Sequence, residues 1–265
     1  MTELIKTMAD QNCFGYYETV MGSSDASEAF EKDGVLITNA GLGVQNFNVA
    51  FITKNLSNPS DSIRGFIDYY GDKKQPFIVR VPIDLDPYVS STLNRLGLET
   101  SSPVLSMAMS MPAGETNQSV DLEINVVTGD ESFDEHRRTC ALGFGVPEIE
   151  SVMSSDLVDH PSSTWFTGYV NSQPVATSLL FQTGKMAGIY NVATLKEFRR
   201  RGIGEAMTRA AVNAGRANGS EYACLQPSGL GEPIYKRMGF KTISRYQNYK
   251  IVDTEPVVAT ESEET

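Results

Sequence analysis

The stretch Arg199-Arg200-Arg201-Gly202-Ile203-Gly204 constrains the fold more than any other feature of this chain. It follows the apolar run Met186–Thr194 and opens an amphipathic segment that continues to about Ala217. The order is therefore strand, basic glycine-bearing turn, helix. The first turn of a helix presents backbone N–H groups without intrahelical partners, and its dipole favours an anion there. Glycines let a ligand approach the backbone closely, and successive N–H groups form a concave nest. Arginines add charge that can engage phosphate in bidentate fashion. The pattern predicts a site for an anion of pyrophosphate size.

Around this unit the apolar pattern predicts an ordered series of elements. Leu122–Val126 alternates as a strand, Glu131–Phe144 and Glu148–Leu157 read as helices, and Thr164–Asn171 with Pro174–Thr183 forms a hairpin. After the strand Met186–Thr194, helix Gly202–Ala217 carries an apolar stripe of Ile203, Met207, Ala210, Ala211 and Ala214. Strand Tyr222–Leu225, helix Glu232–Met238 and strand Lys241–Val252 complete the series. Composition breaks at Pro112–Ser119, a polar Pro/Gly-bearing stretch read as a linker. The expected units are residues 1–111, a linker 112–119, a second unit 120–252, and an acidic, disordered tail 253–265.

The first unit echoes the second. Gly34–Thr38 and Phe47–Thr53 read as strands, Asp61–Tyr70 as a helix, and Phe77–Pro82 matches Tyr222–Pro227. Leu93–Leu98 echoes Tyr235–Phe240, and Leu105–Met111 supplies a closing strand. A duplicated unit that lost its opening elements accounts for this pattern.

A chain of 265 residues is long enough for one large or two modest cores. The formal net charge of −11 argues against a nucleic-acid partner, which needs a basic footprint. It also means that an anionic ligand needs a local basic patch, which Arg199–Arg201 supplies. No apolar run reaches the length of a membrane span, and Met1–Lys6 carries no signal pattern. Three scattered cysteines suggest neither a disulfide framework nor a metal knuckle, and two histidines make a multi-histidine metal site improbable. A cytoplasmic protein without a metal is expected.

The segment Val192–Gly204 resembles the acyl-CoA-binding motif R/Q-x-x-G-x-G/A of the GNAT acetyltransferase superfamily. Ser228–Phe240 resembles that superfamily's closing segment, in which a tyrosine precedes a Gly-Phe pair, here Gly239-Phe240. The resemblance covers roughly Leu122 to Val252. It implies an α/β chain of α+β type, with a mixed, mostly antiparallel sheet flanked by helices, here as a tandem of a degenerate and an intact unit. It further implies that acetyl-CoA is held by Val192, Ala193, Thr194, Arg199, Arg200, Arg201, Gly202, Ile203, Gly204 and Ser228. In this picture the pantetheine arm runs beside a strand that splays from its neighbour, often at a bulge. The acyl carbonyl then lies near an N–H donor able to stabilise an oxyanion. Ser228 stands where many members carry Asn.

Tyr235 resembles the family's general acid, which protonates the departing thiolate; a phenol is neutral at pH 7 yet able to donate a proton. No general base stands out. Glu197 reads as a solvated loop carboxylate, and Glu148, Glu150, Asp156 and Asp159 as a charged helix face; the resemblance implies water-relayed deprotonation, a common outcome in the superfamily, so a missing base does not exclude catalysis. His136 is expected on an exposed helix face, His160 in a loop and Cys224 in the core. The first half has Leu93 in place of Tyr235, and Lys54–Asp61 lacks the arginine-glycine signature, so only the second half is expected to bind CoA.

These readings point to an N-acetyltransferase that passes the acetyl group directly to a small-molecule amine, with a homodimer an allowed assembly. The competing reading is an acyl-CoA sensor without turnover. A Rossmann dinucleotide site fits poorly, because the first glycine and the closing acidic residue of that motif are missing.

Overall fold

The computed structural model describes residues 2–85, 87–113, 120–229 and 231–251. The expected acidic tail and most of the expected linker lie outside the described residues. The first half runs α1 (Thr2–Tyr16), β1 (Glu28–Lys32), β2 (Val35–Asn39), β3 (Asn48–Ile52), α2 (Pro59–Asp72), β4 (Ile78–Pro82), α3 (Pro87–Arg95), β5 (Leu98–Thr100) and β6 (Val104–Ser110). The second half runs β7 (Glu123–Val126), α4 (Asp130–Phe144), α5 (Ile149–Val152), β8 (Ser163–Val170), β9 (Gln173–Thr183), β10 (Met186–Thr194), α6 (Ile203–Ala217), β11 (Tyr222–Leu225), α7 (Glu232–Met238) and β12 (Lys241–Ile251). The expected second helix, Glu148–Leu157, is α5 followed by a separate 3-10 turn at Ser155–Leu157.

The two halves repeat one element order, and the first has not lost its opening helix. α1, a π turn at Tyr17–Met21 and β1 stand where α4, α5 and β8 stand in the second half. Only β7 has no counterpart among the described residues. β1 escapes the period-two pattern because Glu28-Ala-Phe-Glu-Lys is a charged edge strand with both faces largely exposed. α1 escapes notice because its buried positions, Ala9, Asn12, Cys13 and Tyr16, are small or polar rather than aliphatic.

All strands join one twelve-stranded sheet in the order β1-β2-β3-β4-β12-β6-β11-β10-β9-β8-β7, with β5 also paired to β12. β3–β4 and β10–β11 are parallel, and the other pairs are antiparallel. At the centre the halves trade their last strands. β12 pairs with β4 (Tyr246 opposite Pro82), while β6 pairs with β11 (Tyr222 opposite Ser110). β6 and β12 also pair with each other across the middle, Lys241 opposite Ala108.

Alternation along the strands sorts side chains onto two faces. Trp165, Leu179, Phe181 and Tyr190 pack under α4, α5 and the end of α1, whereas Phe166, Leu180, Ala187 and Ile189 pack under α6. In the first half Val35, Ile37, Ala50 and Ile52 meet Ile63, Phe66 and Tyr70 of α2. α1 spans the junction: Cys13 packs on Leu36, Val49, Phe51 and Ile78 of the first half, and Ala9 on Met186 and Cys224 of the second.

α1 also meets β12 through a polar contact. The Tyr246 hydroxyl donates to the Asp10 carboxylate, and Lys6 pairs with Asp84. Burial pushes the Asp10 carboxyl up to about 6, against the hydrogen bond from Tyr246, which lowers it. The neutral acid is therefore favoured in the folded state. Its contribution to stability is present below about pH 4 and is lost as pH rises through about 6. Asp10→Asn keeps an acceptor for Tyr246 and removes the titration. It is expected to flatten stability between pH 4 and 7 and to raise it at pH 7.5 by about 2 kcal/mol in urea unfolding.

Candidate functional site

β10 and β11 pair over Met186–Gly188 and Tyr222–Cys224 and no further, so β10 leaves its neighbour from Ile189 onward. On its other side the pairing with β9 shifts between Tyr190 and Ala193, which leaves Asn191 and Val192 in a bulge. Asn191 sits at φ 51°, a left-handed conformation for which Asn is among the better-suited side chains. Its carbonyl accepts from Thr177 Oγ1 at 2.8 Å, on the β9 side. The peptide bonds described are all trans, and in a trans peptide the N–H points opposite to the carbonyl. The Val192 N–H is therefore aimed away from Thr177 Oγ1.

The Asn191 side chain is held from both ends. Oδ1 accepts from the Tyr16 hydroxyl at 2.8 Å, and Nδ2 meets Met153 Sδ at 3.7 Å. Tyr16 stacks on Tyr190 with centroids 3.9 Å apart and planes 2° from parallel. The Tyr190 hydroxyl donates to Asn12 Oδ1 at 2.8 Å, and Asn12 Nδ2 donates to the Phe181 carbonyl and to Thr183 Oγ1, both at 2.9 Å. Gly188 makes room for this contact, since a Cβ there would lie 1.9 Å from Asn12 Oδ1. Burial raises both the Tyr16 and Tyr190 phenols well above their ordinary value, so both stay protonated.

After β10, a 3-10 turn at Lys196–Phe198 leads into the basic turn. Arg200 (φ 62°) and Gly202 (φ 78°) are both left-handed, and α6 starts at Ile203. Among the described residues, none of the N–H groups of Arg201, Gly202, Ile203 and Gly204 donates to an acceptor. Glu205, in the same first turn, is neutralised by Arg209 at 2.6 Å. Gly204 leaves the approach open: a Cβ there would meet only Thr194 Oγ1, at 3.8 Å.

The guanidinium groups are used differently from one another. Arg199 donates to the Thr194 carbonyl at 3.0 Å and to the Gly143 carbonyl at 2.7 Å, tying the end of β10 to the end of α4. Arg201 donates to the Glu197 carbonyl at 2.9 Å and lies over the Phe198 ring. Arg200 is exposed at the turn.

α7 brings Tyr235 to the same corner. Its ring packs edge-on to Phe240, and its phenol lies beside Thr208, whose hydroxyl donates to the Gly204 carbonyl at 2.8 Å. Burial raises the Tyr235 phenol, so it too remains protonated at neutral pH. Ser228 is exposed in the preceding turn, its carbonyl accepting from the N–H groups of Gly231 and Glu232. The strand edge Val192–Thr194, the nest and Tyr235 thus lie around the first turns of α6.

Other candidates stay apart. Glu148, Asp156, Asp159 and Glu197 are exposed and Glu150 half-buried. His136 is not on an exposed face; it is fully buried, with Nδ1 3.2 Å from Thr167 Oγ1. Burial pulls it down to about 3, so it is neutral. On that side of α4, Trp165 packs against both His136 and Phe133, a packing that the charged neighbours of His136 in sequence hide. Cys224 is buried as expected. No group of three or more His, Cys, Asp or Glu among the described residues could hold a metal. No described helix is long and apolar enough to cross a membrane.

The first half offers no equivalent corner. β3 stops at Ile52, and its last pair with β4 is Phe51 opposite Arg80. α2 begins at Pro59, which has no N–H, and the Asn58 side chain caps the Asp61 N–H at 3.4 Å. Leu93 is fully buried in the core.

Comparison with known proteins agrees with this geometry. Residues 166–243 match the family described as Acetyltransferase (GNAT) domain. A GCN5-related N-acetyltransferase from Kribbella flavida superposes with a TM-score of 0.67 at 15% identity, over 92% of this chain and 95% of that one. A GCN5-related N-acetyltransferase from Sphaerobacter thermophilus gives 0.62 at 14% identity, over 82% and 80%. A tandem GNAT protein from the clavulanic acid biosynthesis pathway gives 0.57 at 8% identity, over 91% and 94%. A search of curated protein sequences gives no significant match. Residues 166–243 are thus similar to a GNAT acetyltransferase domain, and the chain as a whole shares the fold of these structures.

The turn itself is testable. Gly202 is left-handed and a Cβ there would lie 3.0 Å from Val120 Cγ1. Gly202→Ala is expected to cost about 1 to 2 kcal/mol in urea unfolding, whereas Gly204→Ala leaves stability unchanged or slightly raised.

Proposed function

We propose that this protein transfers an acetyl group from acetyl-CoA directly to the amine of a small-molecule acceptor. The observation that carries the reading is the run of N–H groups from Arg201 to Gly204 that find no acceptor among the described residues, at a helix start with an open approach, beside a strand that has parted from its neighbour. Free amides at a helix N-terminus suit a pyrophosphate. Arg200, Arg201, Gly202, Ile203 and Gly204 would hold it, with Ser228 and the edge of Val192, Ala193 and Thr194 along the pantetheine arm. Arg199 would support them by fixing the end of β10.

Acetyl-CoA supplies a thioester, whose acyl carbon forms a C–N bond with the amine as the C–S bond breaks. The Val192 N–H is oriented to donate to the acyl oxygen as negative charge builds there. The Tyr235 phenol, held neutral by burial, gives its proton to the departing sulfur. Glu148, Asp156, Asp159 and Glu197 are exposed, which supports loss of the amine proton to water. The acidic surface weakly favours a cationic acceptor by steering. A cytoplasmic location and a homodimer are further parts of this reading.

Direct tests follow from the residues. Gly204→Leu puts a side chain where the ligand approaches and meets little of the protein itself, so it is expected to abolish CoA binding in titration calorimetry with little change in Tm. Undiminished binding would place the site elsewhere. Tyr235→Phe is expected to lower kcat for thiol release about 100-fold across a panel of amines, with KM for acetyl-CoA retained. The absence of thiol release with every amine tried, despite measurable CoA binding by the unaltered protein, would favour the sensor reading, which the lack of a nearby base supports.

A further inference from the structure

We propose that Tyr16, supplied by the first half of the chain, is a positioning residue for the acyl site of the second half, acting through Asn191 on the direction of the Val192 N–H. The proposal rests on the acyl-CoA reading above and adds a dependence of that site on the other half.

Asn191 is the single left-handed residue of β10, at φ 51°, and its peptide carries the Val192 N–H. A non-glycine residue in this region is strained and persists only when its surroundings fix it. Two groups do so through donated hydrogen bonds. Thr177 of β9 holds the Asn191 carbonyl at 2.8 Å, which sets the peptide plane. Tyr16 holds the side-chain oxygen at 2.8 Å, which sets the residue that precedes that plane. Met153 Sδ lies against the remaining amide nitrogen. Tyr16 is itself fixed, stacked on Tyr190 and buried at the end of α1. Tyr190 is tied in turn to Asn12 of α1.

α1 thus reaches across the junction and grips the strand on which the acyl group would rest. Without the Tyr16 hydroxyl, Asn191 is free to relax toward the extended region. The bulge then straightens and the Val192 N–H changes direction. CoA lacks the acyl oxygen, so its binding through the phosphate nest is indifferent to this change.

The experiment compares dissociation constants for acetyl-CoA and for CoA by titration calorimetry, in the full chain. Tyr16→Phe keeps the ring on Tyr190 and removes only the hydroxyl. It is expected to weaken acetyl-CoA about fivefold or more, the worth of one hydrogen bond, and CoA less than about twofold. Asn191→Ala removes the same bond from the strand side and leaves α1 untouched, which keeps the test sound if Tyr16→Phe folds poorly. It is expected to give the same selective loss, and the double variant no more than either single one.

Equal weakening of both ligands, or an acetyl-CoA affinity unchanged in Asn191→Ala, would overturn the proposal. So would additive effects in the double variant. Failure of the unaltered protein to bind either ligand would instead overturn the acyl-CoA reading on which it rests.

Discussion

Everything in this molecule is arranged around the exchange of strands at the centre of the sheet. β6 belongs in sequence to the first half but lies between β11 and β12 of the second, and β12 closes the sheet of the first half against β4. An unpaired sheet edge leaves a row of backbone donors and acceptors unsatisfied. Neither β4 nor β11 has another strand to occupy that edge, so each half completes its sheet only with the other's final strand. The exchange also sets the position of α1. Bound by sequence to the first half, it is carried over the junction and onto β9, β10 and β11.

The two halves share an order of elements yet present opposite chemistry at equivalent places. Before α2 the chain puts Pro59 and a capping Asn58, which consume or eliminate the free N–H groups of the first turn. Before α6 it puts Arg200 and Gly202 in left-handed conformations, and the amides of Arg201 to Gly204 have no acceptor among the described residues. β3 runs one residue past its last pair with β4, while β10 continues for six past its last pair with β11. A site arises from a few residues placed on a fold, and the fold alone does not provide it. Here one copy carries the open corner and the other is a closed structural counterpart.

Much of the second half was legible because its signals are local. The turn residues Asn171 and Ser172, both left-handed, lie at the tip of the expected hairpin, and the strand Met186–Thr194 and helix Glu232–Met238 occur where the pattern puts them. The turn before α6 and the short helix that carries Tyr235 were legible as local structure for the same reason. The contacts that the sequence hid are long-range. The stripe Ala9, Asn12, Cys13 and Tyr16 carries helical spacing, but small and polar residues at those positions gave no sign of burial. Their purpose appears only with Gly188, Tyr190 and Asn191, about 175 residues later in the chain, as the partners of Tyr16 and Asn12 show. Arg199 is a second case. Its place in a basic motif suggests a ligand contact, but the carbonyl of Gly143 that it holds could not be inferred from spacing.

Several buried polar groups around β10 are neutral. Tyr16, Tyr190 and Tyr235 are all buried enough to keep their protons at neutral pH, and His136, the one histidine beneath this part of the sheet, is uncharged. Fixed neutral donors suit a reaction in which negative charge appears first on an acyl oxygen and then on sulfur. On the proposed reading the Tyr235 phenol and the Val192 N–H would stabilise charge as it develops and need no compensating ion beforehand. A carboxylate in the same enclosure would oppose that charge and would itself be costly to bury. On this view the exposed positions of Glu148, Asp156, Asp159 and Glu197 belong to the design of the site. On the acyl-CoA reading proposed above, the arginine turn would lie at the far end of the cofactor from the bond that breaks.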